Sequence, residues 1–168
     1  MRTVSKLIAV AALAVGLLLV ATGGAQAQEC SAKVSKTFKG KLVITDQQLD
    51  LGGEASDVIA SIKKKSLTTI RSEEIEDVPT WGFFFTAFLS RSPGARSVSL
   101  DFFTDDGERR YVANKRLDGI NPSVDLLQHN VIITEDDGLN KGKRYLVKLT
   151  SQVKGKEVVL ATTKLSTK

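Results

Sequence analysis

The side chains that most often carry catalysis are scarce in this chain. It has one histidine, His129, one cysteine, Cys30, and no Gly-x-Ser-x-Gly nucleophile motif. His129 shares strand parity with Leu127 and Val131, which indicates a half-buried sheet residue, and a general base needs a nucleophile within reach. One histidine and one cysteine also provide no zinc-ligand spacing. We therefore predict no catalytic residues, no metal site and no cofactor, and a chain that is not an enzyme.

Carboxylates are the remaining groups that could do chemistry. Asp105-Asp106 and Asp136-Asp137 each precede a glycine, and a third acidic cluster lies at 73–77. Loop carboxylates can bind calcium, but neither Asp-Asp-Gly segment has the D-x-D-x-D-G spacing of a calcium loop. Asp-Gly is also an ordinary turn sequence, because glycine adopts positive φ without strain. A carbohydrate-binding or calcium-dependent adhesive module therefore stays the alternative to a plain binding or structural module.

The first 27 residues have the three parts of a secretory signal. Arg2 and Lys6 precede an apolar stretch at 7–21, and Ala25-Gln26-Ala27 is a small-residue cleavage pattern. The apolar stretch is shorter than the roughly 20 residues of a membrane-spanning helix. The pattern predicts a signal peptide at 1–27, a secreted or periplasmic protein of the cell envelope, and no membrane span after cleavage.

Charge and cysteine content limit the partners. Loss of Arg2 and Lys6 leaves 22 basic and 19 acidic residues, a net charge of +3, and the basic residues are scattered. A nucleic-acid surface needs a concentrated basic stripe, so we predict no nucleic-acid binding and a partner that is an unknown protein or envelope component. Cys30 has no internal partner; it either links two chains in a disulfide dimer or stays an unpaired thiol.

Short alternating segments separated by Gly, Asp, Asn and Pro predict an all-β domain over 37–168, after a flexible N-terminus at 28–36. One short helix is predicted after Ser56, from the spacing of Val58, Ile59 and Ile62, and a strand is the alternative there. The turn at 104–107 predicts a hairpin, in which Tyr111 of the second strand points inward. The predicted strands are 38–45, 67–71, 81–89, 96–103, 109–116, 124–134, 144–150 and 156–165.

The segment 81–89 is apolar on both faces. Such a strand is either central and fully covered or an exposed binding patch, and large aromatics are ordinarily core residues. If this strand is partly exposed, Trp81 and Phe84 are candidate contact residues. Because loops on rigid sheets commonly carry binding, Asp105, Asp106 and Glu108 of the following turn are further candidates.

One motif has architectural meaning. Leu139, Gly142, Tyr145 and Val147 form an L-x-x-G-x-x-Y-x-V pattern at the start of the penultimate strand. The pattern resembles the tyrosine corner of fibronectin type III and immunoglobulin-like domains, in which the tyrosine hydroxyl bonds to backbone upstream. The resemblance implies a single Greek-key β-sandwich of seven to nine strands, in which Tyr145, Gly142 and Leu139 are structural residues. The chain has no cysteine pair to join two sheets, so an antibody-type domain is excluded.

Overall fold

A computed structural model describes residues 30–168. The predicted signal peptide at 1–27 lies outside the described residues and stays a prediction. In that part of the chain no helix is long and apolar enough to cross a membrane. The elements are α1 (Ala32–Phe38), β1 (Lys41–Thr45), α2 (Ala55–Lys65), β2 (Thr69–Ile70), β3 (Glu73–Ile75), β4 (Val78–Phe88), β5 (Ser97–Thr104), β6 (Tyr111–Asp118), β7 (Leu126–Thr134), β8 (Arg144–Val153) and β9 (Lys156–Thr167).

The all-β prediction is confirmed at the level of class, since nine strands form one mixed, curled sheet. The strand order is β3-β4-β1-β9-β8-β5-β6, with β7 paired to β4 and β2 to β9. The pairings of β1 and β2 with β9 are parallel and the others are antiparallel. The hairpin predicted at 104–107 joins β5 to β6, although its loop extends over 105–110.

The curl brings distant strands into one core. Phe85 of β4 and Ile133 of β7 belong to the same buried cluster as Leu100 of β5 and Val147 of β8. Successive side chains of a strand point to opposite faces, and these residues lie on the face that each strand turns toward the shared core. The curled sheet therefore encloses its own hydrophobic interior, without a disulfide among the described residues.

Helices α1 and α2 cover the outer face at β4. A second buried cluster joins Val34 and Ile62 of the helices to Phe88 of β4, and the rings of Phe38 and Phe88 lie 5.2 Å apart. Strand β4 is thus buried on both faces, which explains why its sequence is apolar at nearly every position. The interpretation of 81–89 as a covered strand is confirmed over most of its length.

A helix lies within the N-terminus that was expected to be flexible at 28–36, of which residues 28 and 29 lie outside the described residues. Residues 32–38 form α1, in which Val34 and Phe38 are buried four positions apart, on one helix face. The side chain of Ser31 accepts a hydrogen bond from the Val34 N–H and caps the helix. Phe38, predicted to begin the first strand, therefore ends a helix instead. The apolar pair was too short a signal to separate a helical turn from a strand.

Tyr145 makes the contact that its motif predicts. Its side chain is 2% exposed, and its hydroxyl oxygen accepts a 2.9 Å hydrogen bond from the backbone N–H of Asn140. Gly142 has a φ of +74°, a left-handed conformation that favours glycine, and Leu139 is fully buried. The three residues fix the chain where it enters β8.

Candidate functional site

A polar groove of about 350 Å³ lies across the outer face of β5, β6 and β8. It is formed by outward-pointing side chains, because successive residues of a strand alternate between the core face and the solvent face. Its polar lining includes Ser97, Ser99, Asp101, Asn114, Arg116, Thr150, Gln152 and Glu157, and its aromatic lining is Phe103 and Tyr111.

Strand register arranges these side chains in rows. Asp101 lies opposite Asn114 on one side and Lys148 on the other. In the neighbouring row Ser99 lies between Arg116 and Thr150. Directly opposed and diagonal residues on one face are close enough to act on the same small ligand. The groove therefore presents hydroxyl, amide, carboxylate and guanidinium groups within two adjacent rows.

Asp101 is the most buried charged residue of the groove. It is 7% exposed and accepts hydrogen bonds from the hydroxyls of Ser99, at 2.5 Å, and Thr150, at 2.7 Å. Within residues 30–168 no salt bridge reaches it. A buried carboxylate is tolerated only when it is hydrogen-bonded, and its two oxygens can accept more than two bonds. Asp101 is thus held in place and keeps capacity to accept from a ligand.

Aromatic side chains form one end of the groove. Tyr111 is 58% exposed, and its ring meets the Phe103 ring edge-on at a centroid distance of 5.8 Å. The Lys148 ammonium makes a cation–π contact with Phe103, 4.4 Å from the ring centroid, and forms no salt bridge with Asp101 within residues 30–168. The prediction that Tyr111 points inward is wrong. A register shift between Phe102 and Phe103 places Tyr111 opposite Phe103, on the outer face.

The acids of the β5–β6 turn lie elsewhere and have partners within the chain. Asp105 pairs with Lys164 at 3.0 Å, and Arg110 pairs with both Asp106 and Glu108. Asp105 and Asp106 line a second cavity of about 400 Å³, together with the basic residues Arg110, Lys143 and Arg144. Each acid of the turn therefore has a basic partner. Among residues 30–168 no three His, Cys, Asp or Glu side chains form a cluster suited to a metal ion.

Asp106 has a strongly lowered pKa of about 2, against an ordinary value of 3.8. The Thr104 hydroxyl donates to this carboxylate, and the Arg110 guanidinium adds a second hydrogen bond. Both contacts favour the charged form. Because the folded pKa is below the unfolded one, the contact stabilises the fold above about pH 4 and this contribution is lost as the pH falls through about 2.

We expect the carboxyl carbon of Asp106 to titrate with a midpoint near pH 2 in an NMR experiment. Thr104→Val removes the hydroxyl donor, so the midpoint should rise toward the ordinary value of 3.8. An unchanged midpoint in Thr104→Val would show that the hydroxyl is not the principal cause of the low pKa.

The remaining candidates take different places. Trp81 is fully buried, so it is corrected from a candidate contact residue to a core residue, and its indole Nε1 has no hydrogen-bond partner among the described residues. Phe84 is half-buried on the outer face of β4, away from the groove.

The histidine and the cysteine lie elsewhere. His129 is half-buried as expected, and its ring stacks on the Phe85 ring with the two centroids 6.3 Å apart. Cys30 is half-buried, with its Sγ 2.8 Å from the Ser35 hydroxyl.

Sequence reasoning thus missed most of the groove. The outward positions of Ser97, Ser99 and Asp101 follow from the alternation of β5, but the facing residues Asn114, Arg116 and Thr150 depend on strand register and pairing. That register is a property of the folded sheet.

No family model, no curated protein and no solved structure matches this chain.

Proposed function

We propose that this chain is a secreted or periplasmic, non-catalytic binding module, built on an immunoglobulin- or fibronectin-like β-sandwich, that holds its partner in the groove over Asp101. The buried but unpaired carboxylate of Asp101 carries the proposal. A carboxylate with only hydroxyl donors, at the floor of a polar groove, has a specific capacity for a ligand that donates hydrogen bonds.

The strand order supports the sandwich architecture. Strands β1, β4 and β7 neighbour one another in the order of strands A, B and E of such a domain, and β9, β8, β5 and β6 follow the order G, F, C and C′. The hydroxyl of Tyr145 bonds upstream at the start of β8, the strand equivalent to F. The two groups would be the two sheets, meeting at the parallel pairing of β1 with β9.

Export is supported by the sequence of the first 27 residues, which has the parts of a cleavable signal. Binding without catalysis is supported by what the groove contains. Its serine, threonine, asparagine and glutamine side chains can donate and accept hydrogen bonds, and His129, the only histidine of the chain, does not line it. A hydroxyl nucleophile needs an adjacent base that a further group orients, and within residues 30–168 the Asp101 carboxylate bonds only to the hydroxyls of Ser99 and Thr150.

Carbohydrate is the second candidate ligand, and one observation favours it. The exposed Tyr111 ring lies beside neutral hydrogen-bonding side chains, and a sugar presents both hydroxyls and an apolar ring face to such a surface. Calcium-dependent adhesion has no comparable observation in its favour, because the carboxylates of residues 30–168 form no cluster suited to a metal ion.

We expect Gln152→Trp to abolish capture of the partner, because the indole would fill one side of the groove from an exposed position. Asp101→Asn, which keeps the shape and removes the charge, should weaken capture about tenfold, the loss expected for one hydrogen bond to a charged group. The measurement immobilises the exported chain and exposes it to a cell-envelope fraction of its own organism.

Gln47→Trp is the matched control, since Gln47 is exposed and does not line the groove. A component retained by the wild type and by Gln47→Trp, but not by Gln152→Trp, supports the proposal. Equal retention by both tryptophan variants contradicts it. If the component is a glycan, Tyr111→Ala should lower retention more than Tyr111→Phe, which keeps the stacking ring.

A further inference from the structure

Strand β7 lies at an open edge of the sheet. It pairs with β4 along its whole length, from Leu126 opposite Phe88 to Thr134 opposite Thr80. On its other side no strand pairs with it among residues 30–168. A sheet edge of this length presents a row of backbone donors and acceptors to another chain.

The flanking hydrogen bonds show which residues of β7 point outward. The Leu89 N–H donates to the Asp125 carbonyl at 2.8 Å, and the Glu135 N–H donates to the Pro79 carbonyl at 2.9 Å. Residues 125 and 135 therefore bond toward β4, and so do the odd-numbered residues between them, because antiparallel partners alternate. The even-numbered residues direct their backbone groups to the open side.

Four outward N–H groups lack a backbone partner in the described chain, those of Leu126, Gln128, Asn130 and Ile132. Thr134 differs, because its N–H donates to the Asp137 carboxylate at 2.9 Å. The free donors thus lie at alternate positions along the strand, whose midpoint is Asn130.

This edge lacks the devices that usually prevent edge pairing. The sequence LLQHNVIIT contains no Lys, Arg, Asp, Glu or Pro. The opposite edge strand, β6, carries Lys115, Arg116 and Asp118. Charged residues and prolines are the common protections of an edge strand, so β6 is protected and β7 is not.

The outer face of β7 is self-complementary. Its first half is covered, because Leu126 is 3% and Gln128 4% exposed and the Gln128 amide donates to the Leu49 carbonyl of the 46–54 loop. In the second half Ile132 is 57% exposed and lies opposite Gly82, beside which there is open space. A two-fold axis at Asn130 would place the exposed half of one strand, with Ile132, beside the covered half of the other strand, with Gln128.

We propose that β7 pairs antiparallel with β7 of a second copy of this chain, about a two-fold axis at Asn130. Asn130 then lies opposite its own copy, and Gln128 opposite Ile132. The outward N–H and C=O groups of both strands meet as hydrogen-bonded pairs. The exposed Ile132 side chain packs against the loop that covers the partner's Gln128. At the two ends Asp125 comes opposite Glu135, so salt should strengthen the association by screening these carboxylates.

The test measures sedimentation of the full exported chain from micromolar to millimolar concentration in reducing buffer, which removes any Cys30 disulfide, together with amide hydrogen exchange. We expect a dimer that tightens with added salt, and slower exchange of the Gln128, Asn130 and Ile132 amides as concentration rises. Asn130→Lys places two ammonium groups opposite each other and should weaken the dimer about tenfold. Asn114→Lys, the same change at an exposed position of β6, is the matched control and should leave the dimer unchanged.

A chain that stays monomeric at millimolar concentration overturns the proposal. So does a dimer in which the three amides exchange as fast as in the monomer, or one that Asn130→Lys and Asn114→Lys affect equally. Protection of these amides only when a synthetic peptide of different sequence is added would also overturn it, and would assign the edge to a foreign strand.

Discussion

Replacing Trp81 with alanine should lower the free energy of unfolding by about 3–5 kcal/mol, the range for truncating a large buried aromatic. Trp81 is fully buried in the cluster that joins β4 to β5 and β8, so its loss leaves a cavity between the two halves of the curled sheet. Urea unfolding of the variant and the wild type measures the difference.

Two further variants make the Trp81 result specific. Ile132→Ala truncates a side chain that is 57% exposed and should cost no more than about 0.5 kcal/mol in the monomer. Trp81→Phe should cost less than Trp81→Ala, because the indole Nε1 makes no hydrogen bond within the described residues and only volume is lost. If Trp81→Ala were as mild as Ile132→Ala, the enclosed core described here would be wrong.

Tyr145→Phe should destabilise the fold by about 1–2 kcal/mol, because it removes the acceptor of the Asn140 N–H and leaves that donor without its partner. The phenyl ring keeps its packing against Phe102, so the loss isolates the hydroxyl. Unfolding in urea gives the free energy, and faster exchange of the Asn140 amide should locate the change.

Tyr111→Phe is the control for Tyr145→Phe, because it removes the same atom from a tyrosine that is 58% exposed. We expect it to be neutral. Equal effects of the two substitutions, or an Asn140 amide that exchanges at the wild-type rate in Tyr145→Phe, would contradict a structural role for the corner.

Local alternation was enough to predict most strands. Val98, Leu100 and Phe102 alternate with polar residues, and β5 has the predicted face assignment. The helix predicted after Ser56 is α2, in which Val58 and Ile62 are buried on one helical face. The pattern around Tyr145 identified a contact between residues five positions apart. Each of these features is encoded within about ten consecutive residues.

Features that depend on distant pairing escaped prediction. Tyr111 points outward because the pairing of β5 with β6 shifts in register between Phe102 and Phe103. The sequence of β6 alone does not indicate this shift. Residues 73–75 lie outside the predicted strands, yet they form β3, because the chain folds back at Glu76 and Asp77, which have positive φ. The helix α1 is stabilised by packing on Phe88, a residue fifty positions away from Phe38.

The groove also depends on the pairing of distant strands. Strands β5, β6 and β8 must be aligned before Asp101, Asn114 and Thr150 share one surface.

Amide chemical shifts of the isotope-labelled chain, recorded while the captured envelope component is added, test the central proposal most directly. If the groove is the binding surface, the perturbed amides should cluster in 97–103, 111–116 and 150–157, and Asp101→Asn should reduce the shifts at the same ligand concentration. Perturbations confined to the helices or to the 105–110 turn, with residues 97–103 unchanged, would contradict it.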